Sequence, residues 1–205
     1  MKRKYLPLLL TGLWAAMLWS CGETKNETIN EQQDKDTVAA IEVKEPSQVL
    51  INNYGTRLQK IVKTDEGILR GVNFGDPVDA VKAREGDKPL EDSTNHIGYR
   101  IDLGNYEDLD IRYHLNGQRQ VWGFTLDIYL DEQASVDSLF NDFKGYFSDR
   151  FGPNNFDNQR NMVAWNLADS LKVVVKDVGI KQAPGLQVQM INLKGAKHGL
   201  SQQVQ

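Results

Sequence analysis

The residues best suited to chemistry in this 205-residue chain are three arginines and a histidine set close together: Arg100, Arg112, His114 and Arg119. Around them apolar and polar residues alternate, as in half-buried strands, and the alternation puts Arg100, Arg112 and His114 on the polar side. Counting outward from the turns pairs Arg100 with Arg112, and His114 with Arg119, with Gly98 beside them. Facing like charges cost stability unless neighbours compensate, and the diagonals Arg100–Asp110 and Asp102–Arg112 offer that compensation as a solvated charge ladder. The functional counterpart is an anion site, in which planar guanidinium forks accept a carboxylate, a phosphate or a lipid headgroup.

Other chemistry finds less support. The chain has no G-x-S-x-G, H-E-x-x-H, Walker, G-x-G-x-x-G or C-x-x-C motif. His96, His114 and His198 are scattered and lack metal-ligand spacing. Glu107, Asp108 and Asp110 lack the Asp-x-Asp-x-Asp-Gly spacing of a calcium loop and read as a solvated turn. An acid–base pair of Asp102 with His114 would need a pocket that the sequence does not show. No catalytic residue, metal or cofactor is therefore assigned, and the chain is expected not to be an enzyme. A charged fraction of 25% and an apolar fraction of 40% are ordinary globular values. There are 24 basic and 28 acidic residues, and the count falls to 21 against 28 without Lys2, Arg3 and Lys4. That acidic balance disfavours general nucleic-acid binding, which needs many cations to neutralise phosphates.

The first 46 residues concern location. A basic start, Met1 to Tyr5, precedes an apolar run from Leu6 to Trp19, which is 14 residues long. A membrane span needs roughly 20 residues, so this is the length of a signal-peptide core. Leu18-Trp19-Ser20-Cys21 follows, and it resembles the lipobox of bacterial lipoproteins, with Trp19 where a small or β-branched residue is usual. The resemblance implies a signal peptide over 1–20, lipidation of Cys21 and anchorage in a bilayer. Acyl chains contribute about 0.8 kcal/mol per buried methylene. Gly22 stands where an Asp would resemble an inner-membrane retention signal, which implies the outer membrane, facing either the periplasm or the surface. Cys21 is the only cysteine, so no internal disulfide can form. Residues 21–46 read as a disordered acidic tether, with seven acidic and three basic side chains and no aromatic between Gly22 and Pro46. Such a chain reaches about 25–30 Å.

Residues 47–194 read as one α+β domain, followed by a disordered tail over 195–205. A first helix is expected from Ser47 to about Val62, a second from Asp76 and Pro77 to Gly86, and a third along Val136, Leu139, Phe140, Phe143, Phe147 and Phe151, stopped by Gly152-Pro153. After the second helix come three alternating strands. A five-residue loop, Gly104 to Asp108, pairs Leu103 with Leu109, and a type I′ turn at Asn116-Gly117 pairs Leu115 with Gln118. After the third helix, Val163-x-Trp165-x-Leu167 turns back through Ala168-Asp169-Ser170 onto Leu171-x-Val173-x-Val175, and a last strand over Leu186–Leu193 is a candidate free edge for strand addition. The expected architecture is a helix plus three-stranded antiparallel meander, αβββ, twice over, with the helices on one sheet face.

A short helix and three-stranded meander behind a lipobox and acidic tether resemble the SmpA/OmlA family of outer-membrane lipoproteins, and the fold group that includes the β-lactamase inhibitor protein. The local carrier is Gly71-Val72-Asn73 through Val81 to Gly86-Asp87-Lys88-Pro89, similar to the family's Gly…Val…Gly-x-Pro run with one extra residue before the proline. The resemblance implies an architecture for protein contact. The expectation is a lipid-anchored binding or scaffold module with an envelope protein as partner, and the alternative is an anion or lipid-headgroup module using Arg100, Arg112, His114 and Arg119.

Overall fold

The computed structural model describes residues 50–86, 88–157, 161–168 and 170–195. The chain divides into two units, Met1–Ile41 and Glu42–Gln205, and every described residue belongs to the second. The expected signal peptide, Cys21, the tether and the tail from residue 196 lie outside the described residues, as does His198.

The first expected helix is broken. A 3₁₀ turn, Leu50–Asn53, precedes helix α1, Thr56–Val62, and Gly55 between them is extended at φ −59° and ψ 150°. A Cβ on Gly55 would lie 2.7 Å from Asp142 Oδ2, so a larger residue there would displace the Asp142 carboxylate on the third helix. Helix α2, Val78–Glu85, starts after Pro77, which stands outside the helix in an extended conformation, and ends on left-handed Gly86. Asp76 does not cap it. Its Oδ2 accepts from the Asn73 N–H at 2.8 Å, while the first helical N–H, at Val78, donates to the Arg119 carbonyl at 3.0 Å. Helix α3, Gln133–Phe151, buries Val136, Leu139, Phe143, Tyr146 and Phe147, and closes at Gly152 as its 3-4 spacing requires.

The strands are β1 Glu91–Asp92, β2 His96–Gly104, β3 Glu107–Leu115, β4 Val121–Tyr129, β5 Asn155–Asp157, β6 Met162–Leu167, β7 Leu171–Asp177 and β8 Gly185–Asn192. They form one antiparallel sheet in the order β1-β2-β3-β4-β8-β7-β6-β5. The molecule is therefore a mixed α+β fold on an antiparallel sheet. β8 is no edge: it lies between β4 and β7, and the edges are the two- and three-residue strands β1 and β5, too short to template a neighbour.

The β6–β7 hairpin pairs Val163 with Val175 and Trp165 with Val173, as expected. Two other registers differ. β2 and β3 join through a two-residue turn, Asn105–Tyr106, both left-handed, and Leu103 is an extra, bulged residue. Ile101 thus faces Leu109, and Arg100 faces Asp110 rather than Arg112. Between β3 and β4 the Asn116 side chain closes a longer loop, accepting from the Gln118 and Gln120 N–H groups at 3.0 and 2.9 Å. Arg119, not Gly117, takes the left-handed conformation. Trp122 is bulged and Tyr113 faces Phe124, so His114 faces Gly123 instead of Arg119. Past the bulges the two shifts are of two and four residues, both even, so the apolar sets keep their common face, except for Trp122, which lies against His114 on the other.

That face is the core. Ile97, Tyr99, Leu109, Ile111, Tyr113, Phe124, Leu126, Ile128, Val163, Trp165, Val173, Val175, Leu186, Val188 and Met190 form one cluster with side chains of all three helices. Phe143, Phe147 and Phe151 stack in sequence at 5.7 Å, and Trp165 meets Phe147 edge-on at 5.4 Å. The phenylalanine stripe of α3 is packing. Phe143 and Phe147, fully buried, each contribute about 1.5–3 kcal/mol by burial, and the partly buried Phe140 and Phe151 contribute less.

Candidate functional site

Alternation gives the sheet a second face, carried by Arg100, Asp110, Arg112, His114, Thr125, Asp127, Gln187 and Gln189 among others. Among the described residues no helical side chain bonds to any of them, and their bonds run along and across the strands. Arg100 holds Asp110 with two bonds of 2.6 Å. Gln187 Nε2 donates to Asp127 Oδ1 at 2.8 Å and Gln189 Nε2 to Gln187 Oε1 at 3.1 Å. His96 meets Glu91 Oε2 at 2.9 Å.

The four expected anion ligands are not gathered. Arg100 and Asp110 satisfy each other, and Arg119 reaches away to Asp92 Oδ1 at 2.6 Å and the Ser93 carbonyl at 2.7 Å. His114 lies against Trp122, ring centroids 5.2 Å apart, with Nε2 2.9 Å from Thr125 Oγ1. Burial, with the Arg112 guanidinium and the His96 ring nearby, pushes its imidazole down to about 4, so it is neutral at physiological pH. Arg112 stands between Gly98 and Thr125 and makes no hydrogen bond or ion pair with a described residue. Of the three arginines it alone has no partner among the described residues, and it stands beside the neutral His114.

Asp102 and His114 sit at opposite ends of their strands, Asp102 opposite Asp108 and His114 opposite His96, which excludes direct proton transfer between them. Glu107, Asp108 and Asp110 do not converge either: Glu107 binds Arg57, and Asp110 binds Arg100. Among the described residues no three His, Cys, Asp or Glu side chains group as a metal ion would require.

Two ionic clusters, one buried and one partly buried, escaped the sequence reading. Arg70 on the loop after α1 and Glu85 on α2 are both nearly fully buried and joined by two bonds of 2.7 and 2.8 Å. The Tyr113 hydroxyl donates to the same carboxylate, and Arg70 Nη1 also donates to the carbonyls of Lys60 and Ile61. Despite burial, the Arg70 guanidinium and Tyr113 hold the Glu85 carboxyl below the usual range. The second cluster joins Arg57 to the buried Glu107 at 2.7 and 2.8 Å, and Ser135 Oγ to Asp131 Oδ1 at 2.9 Å beside it. Both had a signal. Glu85 continues the 78, 81, 85 stripe of α2, and Glu107 has the parity of Leu109 and Ile111, so each carboxylate is aimed at the core. Their donors are spent on helix ends and on each other, which makes them fasteners of α1 and α2 to the sheet.

No protein-family model matches the chain, and neither a curated protein nor a solved structure matches it.

Proposed function

We propose that this chain is a lipid-anchored envelope lipoprotein that works by binding a protein partner, not by catalysis. In this reading Cys21 carries the anchor, residues 21–46 hold the domain off the outer membrane, and the halves before and after Asp131 are two copies of one αβββ unit meeting at β4 and β8. The observation that carries the reading is the second sheet face. It spans both halves, cross-strand bonds fix Arg100 to Asp110, His114 to Thr125 and Gln187 to Asp127 on it, and no described helix bonds to it. A pre-ordered polar surface of that kind loses little side-chain freedom on association. The test is mild crosslinking in native membranes with the full chain, affinity capture and mass spectrometry, using Cys21→Ala as the unanchored control. A stoichiometric outer-membrane partner that disappears in the control is the expected result; absence of any enriched partner refutes the reading.

A second reading rests on Arg112, whose fork has no described acceptor. It takes a carboxylate, phosphate or headgroup anion there. An anion-dependent rise in melting temperature that is lost in Arg112→Ala and kept in Arg119→Ala would be its signature, and equal shifts in both would refute it.

A further inference from the structure

Five large apolar side chains are exposed among the described residues, and four of them, Tyr106, Tyr129, Val178 and Ile180, lie at one end of the sheet. The registers place them there. Gly104 pairs with Glu107 on either side of Tyr106, Asp108 with Tyr129, Tyr129 with Gly185, and Asp177, next to Val178, with Leu186. The group therefore crosses the ends of β3, β4, β8 and β7, about 15 Å at the usual strand spacing.

Turn geometry and backbone bonds hold out Tyr106, Val178 and Ile180. Tyr106 is fully exposed at the tip of the β2–β3 turn with φ 63°, a conformation that suits Gly or Asn and disfavours an aromatic residue. Its ring covers no part of the fold, so folding does not account for a tyrosine at this position. Ile180 and Ala183 exchange backbone bonds of 3.1 and 2.9 Å, and the Val178 N–H donates to the Gly185 carbonyl at 3.1 Å, which fixes the β7–β8 loop. Around this patch stand Asp102, Asp108, Asp131, Glu132 and Asp177, none in an ion pair with a described residue, against Lys60, Lys176 and Lys181.

We propose that this sheet end is an interaction surface for a basic protein segment, one that carries Lys or Arg interleaved with large apolar residues. The proposal rests on the protein-binding reading above and moves the contact from the sheet face to the sheet end. Charge decides the class of partner. An acidic rim repels an anionic lipid surface and repels its own copy, whereas cations between apolar anchors meet the carboxylates while Tyr106 and Ile180 are covered.

The test uses the full chain in detergent micelles, ¹⁵N-labelled and titrated with two synthetic twelve-residue peptides, one alternating Lys with Leu and Trp, the other identical with Glu for Lys. The expected result is salt-sensitive shifts at 104–108, 129–132 and 177–185 with the Lys peptide only. Binding should weaken at least tenfold in Tyr106→Asn and in Ile180→Asn, both in exposed positions. Tyr106→Gly should weaken it too while raising the melting temperature, which separates contact from folding. Equal response to both peptides, no response to either, shifts centred on Arg112 and Thr125, tighter binding to phosphatidylglycerol vesicles, or self-association through the same residues would each overturn the proposal. A photo-crosslinking residue at 106 or at 112 in native membranes keeps the two readings apart. Adducts from 112 alone leave the sheet-face reading standing and remove this one; adducts from neither remove both.

Discussion

His114 shows how a residue chosen for its chemistry is turned to structure by its surroundings. Its folded imidazole titrates near 4 because burial and neighbouring positive charge oppose protonation, while an unfolded histidine titrates near 6.5. Between those values the unfolded chain binds more protons, so stability rises with pH through the window and is lost as pH falls from 6.5 toward 4. Urea unfolding across pH 4 to 7 should show that slope, and His114→Gln, which can still bond Thr125, should flatten it. An unchanged slope would mean that other groups carry the acid limb. Arg112, two residues away, differs in kind: it is charged throughout and has no described acceptor.

At the scale of elements, the Arg70–Glu85–Tyr113 cluster fastens the last carbonyls of α1 to α2 and β3. Arg70→Ala would leave Glu85 buried beside Tyr113 with its cation gone, at a cost of about 3–5 kcal/mol. The triple change Arg70→Met, Glu85→Leu, Tyr113→Phe should be much milder, because no charge is stranded. Chemical denaturation of the two variants checks the order, and a triple variant as unstable as the single one would assign the loss to packing. Other contacts tie the segment from Leu50 to Val62 into the fold. Within it Leu58, Ile61 and Val62 join the core, Ile51 N–H donates to Asp65 Oδ2 at 3.1 Å, and Tyr54 donates to Asp149 at 2.5 Å.

For the whole molecule, the join between β4 and β8 decides the architecture. Phe124, Leu126 and Ile128 face Met190, Val188 and Leu186 across it, all buried. A chain cut after Asp131 would expose these side chains and two central strand edges, so neither half is expected to fold alone. Poor amide dispersion in the NMR spectrum of each fragment is the predicted outcome, and a well-dispersed spectrum from either would show that the join is dispensable. The halves hold 81 and 60 described residues, a size at which a single core is marginal.

Period and parity determined a good deal by themselves. The 3-4 spacing from Val136 to Phe151 needs one buried stripe, and alternation from Ile97 to Leu130 needs one buried face, whichever residues are paired. Loop length alone could not fix the register, because bulges at Leu103 and Trp122 depend on what neighbouring strands accept. Those bulges separated Arg100 from Arg112 and His114 from Arg119, and so took apart the anion site that idealised turns had assembled. Strand order was beyond local sequence for a different reason. Alternation says which face a side chain takes but not which strand lies beside it, and pairing β4 with β8 joins residues some 60 positions apart through burial that exists only once both halves are present.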